Sequence, residues 1–94
     1  MRLKGRVDEN QDRIVSTLRE TGARVLSLAA VGKGCPDLLV CRSGTLYLLE
    51  VKDGAKSPSR RRLTKDQVMF HQLWPVTVVT NIEEALKATG VNIL

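Results

Sequence analysis

A chain of 94 residues can build one domain around a single modest core and is too short for two units that each bury their own. Its 43% hydrophobic and 27% charged residues are those of a folding globular chain and exclude disorder as the general state. Fifteen Lys and Arg against ten Asp and Glu give a net charge of +5, which suits a polyanionic partner, while Tyr47, Phe70 and Trp74 are too few rings for a base-stacking platform.

From Asp8 to Glu20, Ile14, Val15 and Leu18 recur at helical spacing, and Gly22 follows as a stop. Arg24-Val25-Leu26-Ser27-Leu28 alternates like a strand, and Gly32-Lys33-Gly34-Cys35-Pro36 breaks regularity. Asp37 to Cys41 is an apolar run headed by an acid. Ser43-Gly44 makes a turn before Thr45 to Val51, so the two runs read as a hairpin. Asp53 to Arg62 is a polar loop with Gly54 and Pro58. A second helix spans Thr64 to about Trp74, Pro75 stops it, and Val76 to Val79 is β-branched and strand-like. Thr80, with Glu83 as in a capping box, opens a short last helix that Gly90 closes. The order α-β-β-β-α-β-α fills one domain over residues 1–94, with no repeat and no linker.

Cys35 and Cys41, with His71 as the one histidine, cannot complete a tetrahedral zinc site. Cys41 reads as a small core residue. No apolar run approaches the roughly twenty residues that cross a bilayer, and the first residues lack the order of a signal peptide. An intracellular protein is expected.

The chemistry concentrates on the hairpin. Residues two apart in a strand face the same side, so Glu50 and Lys52 point together. Pairing across Ser43-Gly44 brings Asp37, at the start of one strand, beside them. Two carboxylates at close range repel unless a divalent cation lies between them, and Mg²⁺ takes a few carboxylate oxygens plus waters. The carbonyl of Val51 can add an oxygen. Lys52 is then placed to orient a water or neutralise a phosphate. The plainer alternative has Asp37 capping a turn, Glu50 ending a strand and Lys52 solvated, but such charges are costly if buried without partners.

Gly34-Cys35-Pro36-Asp37-Leu38-Leu39-Val40, then Glu50-Val51-Lys52 thirteen positions after Asp37, then Leu63-Thr64-Lys65-Asp66-Gln67 resembles the VRR-NUC branch of the PD-(D/E)XK nucleases. The resemblance runs from the first helix to Val79. It implies an α/β, restriction-endonuclease-like fold with a mixed sheet flanked by helices, a Mg²⁺ or Mn²⁺ cofactor, and hydrolysis of DNA phosphodiester bonds. Stand-alone bacterial and phage members resemble Holliday-junction resolvases and act as homodimers, so four-way junctions are the expected substrate and a homodimer the expected assembly.

The same resemblance assigns Asp37, Glu50 and Lys52 to catalysis, with Asp37, Glu50 and Val51 as metal ligands. Gln67 matches the glutamine that follows the lysine motif, and it also fits a capping box with Thr64. The family places a Glu on the first helix. Glu9 is assigned that role, although in a helix regular from Asp8 the apolar stripe passes through Gln11 and Glu9 points away, so Asp8 and Gln11 stay open. Lys56, Arg60, Arg61, Arg62 and Lys65 are expected to grip DNA phosphates. His71 has no evident catalytic partner. Two other functions fit the same residues: a non-cleaving DNA-binding module with a nuclease-like fold, and an accessory subunit of a helicase or recombination complex.

Overall fold

Ile14 and Leu18, one helical turn apart, are fully buried and set the inward face of the first helix. The computed structural model describes residues 4–54 and 62–92, with side chains from residue 9 onward. Helix α1 (Lys4–Glu20) starts a turn earlier than Asp8, since no proline interrupts the chain upstream. It ends where Gly22 takes φ +101: Gly22 N donates to Arg19 O at 3.1 Å and Ala23 N to Leu18 O at 3.0 Å. This closure satisfies two carbonyls at the helix end through a residue without a Cβ.

Strands β1 (Arg24–Ser27), β2 (Leu38–Arg42), β3 (Thr45–Val51) and β4 (Val76–Val79) lie side by side in that order. The first three run antiparallel, and β4 pairs parallel to β3. Ser43 and Gly44, with φ +53 and +82, form the two-residue turn of the expected hairpin. The sheet is therefore mixed, as the fold class requires.

Register sorts the side chains. Val25, Val40, Leu38, Leu49 and Val79 share one face and bury against Ile14, Leu18 and Ala85. On this face α1 packs against β1 and α3, and α3 against β4. Each fully buried Leu here contributes about 1.5–3 kcal/mol. Leu49→Ala is expected to cost about 2–5 kcal/mol, measured as a lower denaturation midpoint at unchanged slope.

Leu26, Leu39, Cys41, Leu46, Leu48, Glu50 and Val78 occupy the opposite face. Much of it is open: Leu26 is 62% exposed and Leu46 63%. Cys41 accordingly lines an apolar groove on the open side and is not in the core. Alternation along β2 places it opposite to Val40, which the apolar run alone does not reveal.

Helix α2 (Lys65–Leu73) has a full capping box, with Gln67 N donating to the Thr64 hydroxyl at 3.2 Å and Thr64 N to Gln67 Oε1 at 2.9 Å. The cap of α3 (Ile82–Ala88) falls one residue later than expected. Asn81 Oδ1 accepts from Glu84 N at 2.8 Å, and Glu84 reaches back to Thr80 N at 2.7 Å. Asn caps at least as well as Thr. Glu83 pairs instead with Lys87 at 3.7 Å on the surface. No helix among the described residues is long and apolar enough to cross a membrane.

Candidate active site

Leu38 pairs with Leu49, so one further step of register sets Asp37 opposite Glu50 at the end of the sheet. Asp37 Oδ2 accepts a hydrogen bond from Val51 N at 2.7 Å. Glu50 is 2% exposed. Lys52 Nζ lies 3.5 Å from Glu50 Oε2, and Gln67 bridges the pair: its amide donates to Glu50 Oε2 at 2.9 Å and its oxygen accepts from Lys52 Nζ at 3.2 Å. Asp37, Glu50, Lys52 and Gln67 thus form one cluster. The capping reading of Gln67 holds, and the same side chain also ties α2 to the sheet.

The alternation of β3 turns the amide and carbonyl of Val51 toward β2, whose ladder ends at Leu38 opposite Leu49. The Asp37 carboxylate takes the Val51 amide in place of a strand partner.

Electrostatics set Glu50 apart. Burial, and then the Asp37 charge, push its carboxyl from 4.5 up to about 7 against the opposing pull of Lys52. Its Oε1 is buried and has no hydrogen-bond partner among the described residues. Burial and the same two carboxylates raise the Cys35 thiol, keeping it protonated and out of nucleophilic chemistry.

Asn10, Gln11, Asp37, Glu50, Val51, Lys52 and Asp53 line a cleft of about 240 Å³. The orphaned Glu50 oxygen, the Asp37 carboxylate and the Val51 carbonyl form an oxygen-only donor set. Such a set fits Mg²⁺ or Mn²⁺, which keep several waters, and does not fit zinc. Among the described residues no three Asp, Glu, His or Cys side chains gather as a metal cage, so water and substrate oxygens must complete any such shell.

Glu9 does not join the cluster. Its side chain is 66% exposed and pairs with Arg13 at 3.3 Å, because the helical phase that buries Ile14 and Leu18 turns position 9 outward. Gln11 faces the cleft instead, and the Asp8 side chain lies outside the described residues. Of the basic residues assigned to DNA, Arg62 and Lys65 are exposed next to the Thr64 cap, while Lys56, Arg60 and Arg61 lie outside the described residues. Asn10 was missed by the sequence reading: its amide donates to Lys52 O and Thr80 O, both at 3.2 Å, and ties α1 to the ends of β3 and β4. The available sign was a polar residue in phase with Ile14 and Leu18. Gly34 has a role beyond opening the loop, since a Cβ there would overlap the main chain of Asp66 at the start of α2.

A family profile described as archaeal Holliday junction resolvase (Hjc) matches residues 1–73, a span that carries the whole cluster. A solved structure described as a VRR_NUC domain is similar at 26% identity and TM-score 0.54, covering 86% of this chain and 90% of that one. No curated protein sequence matches the chain. Matched over most of its length by that profile, and carrying the acid, acid, lysine cluster on a mixed sheet flanked by helices, the chain belongs to the archaeal Holliday junction resolvase family.

Proposed function

We propose that the protein is a divalent-metal-dependent endonuclease that cuts phosphodiester bonds in branched DNA, above all four-way junctions, and acts as a homodimer. The observation that carries this reading is Glu50, a buried carboxylate beside Asp37 with one oxygen that no donor among the described residues satisfies. Unless a cation takes up their charge, two carboxylates so placed oppose each other.

In this reading Asp37, Glu50 and the Val51 carbonyl hold Mg²⁺ or Mn²⁺. Such an ion, when bound, lowers the pKa of a coordinated water and offsets charge on a phosphate. Lys52, steered by Gln67 and Glu50, presents its ammonium to the phosphate or the attacking water. Asn10 holds the Lys52 main chain in place. Arg62 and Lys65 are positioned to meet backbone phosphates outside the cleft. A junction offers two strands for symmetric cutting and each chain has one cluster, which favours a two-fold pair. The exposed Leu26 and Leu46 face supplies apolar surface for that contact.

One observation favours a non-cleaving DNA-binding module: among the described side chains of α1, Asn10 and Gln11, not an acid, come to the cleft. A cleavage panel of four-way junctions, flaps, single strands and plain duplex, each with Mg²⁺ and with Mn²⁺, separates the readings. Nicking of junctions that Asp37→Ala and Lys52→Ala each abolish is expected. Binding without cleavage in either metal would establish the module, and preference for plain duplex or RNA would remove the junction assignment.

A further inference from the structure

His71 lies one helical turn beyond Gln67 on α2, so the two side chains share a face of the helix. That face meets the cluster, because Gln67 contacts both Glu50 and Lys52. The imidazole is half-buried, and its Nε2 is fully buried with no hydrogen-bond partner among the described residues. An unsatisfied polar atom in such a place calls for a reason.

Lys52 supplies one. Its ammonium has three protons; Gln67 Oε1 at 3.2 Å accepts one, and Glu50 Oε2 at 3.5 Å attracts another. We propose that His71 is a positioning residue for Lys52, its Nε2 closing the α2 side of the ammonium and limiting the directions in which Nζ can reach. Burial and the Lys52 charge both hold the ring below its ordinary pKa, so it stays neutral and offers an acceptor nitrogen. A cation in its place would push Lys52 out of the cluster. The inference rests on the catalytic role given to Lys52 above, but the proposed approach of ring and ammonium can be read without any reaction.

The chain has a single histidine, so its ring nitrogens can be followed by long-range ¹H–¹⁵N correlation without ambiguity. The expected spectrum at neutral pH shows an unprotonated Nε2 whose resonance moves when Lys52 is changed to Met. An Nε2 that carries the proton, or one indifferent to Lys52→Met, overturns the proposal. Turnover on junction DNA gives the second readout. His71→Phe keeps the volume without the acceptor, and a fall of about tenfold or more in kcat is expected, with DNA affinity unchanged. His71→Gln, which carries an acceptor at the ε position, recovers most of that loss, and His71→Asn does not. If the Phe variant fails to fold, the Gln and Asn pair decides: equal turnover of the two overturns the proposal. A wild-type chain that shows the Lys52 contact yet cuts no DNA would overturn the nuclease reading and leave this contact standing.

Discussion

Asp37→Asn is expected to leave the protein folded and at least as stable while removing cleavage by on the order of 10³-fold, the equivalent of several kcal/mol of transition-state stabilisation. The asymmetry follows from what Asp37 does. Its Oδ2 accepts from Val51 N at 2.7 Å, and an Asn oxygen can keep that bond. What disappears is the negative charge that raises Glu50. Without it the cluster repels itself less, so stability holds or rises, but one of the two anionic donors for a divalent cation is gone. Chemical denaturation alongside a junction-nicking assay checks both halves. Loss of activity with an equal loss of stability would mean that Asp37 serves the fold alone.

The second large effect is on stability against pH. Glu50 has an ordinary pKa of 4.5 and about 7 in the folded chain. Between those values the folded protein binds a proton that the unfolded chain has released. Stability contributed by the protonated carboxyl is therefore fully present below about pH 4.5, declines as pH rises to about 7, and is flat above. The decline is on the order of 3 kcal/mol, or roughly 10 °C or more in Tm for a domain of this size. Thermal melts in EDTA across that range should show it, and Glu50→Gln should flatten it. Millimolar Mg²⁺ or Mn²⁺ should oppose the decline, most strongly at high pH, because cation binding to the ionised site stabilises the folded state by mass action. A wild-type Tm independent of pH in EDTA would contradict the assigned burial of Glu50.

Much of this site was legible in the chain because β-structure has a short period. Once Ser43-Gly44 is read as a two-residue turn, register alone brings Asp37 to Glu50, and alternation points Lys52 with them. Gln67 was legible as a cap, which it is, and the same side chain also reaches Glu50 and Lys52. The first helix was harder. Its apolar stripe fixes a phase, and that phase carried more information than the type of residue expected there: it favoured Gln11 over Glu9, as the structure does. Asn10 escaped because a long-range bond from a side chain to two strand ends leaves no local pattern. The α3 cap moved by one residue because Thr80 and Asn81 are both good caps, and tertiary contacts choose between neighbours. The open face of the sheet was invisible for a related reason. An apolar run states what each strand prefers to bury, not whether this chain alone supplies the cover.

Calorimetric titration of Mn²⁺ into the protein at pH 8, with and without a four-way junction, bears most directly on the cluster as a cation site. Saturable uptake by the wild type, lost in Asp37→Asn, is the predicted result. No uptake under either condition would contradict it and leave the paired carboxylates without a chemical role.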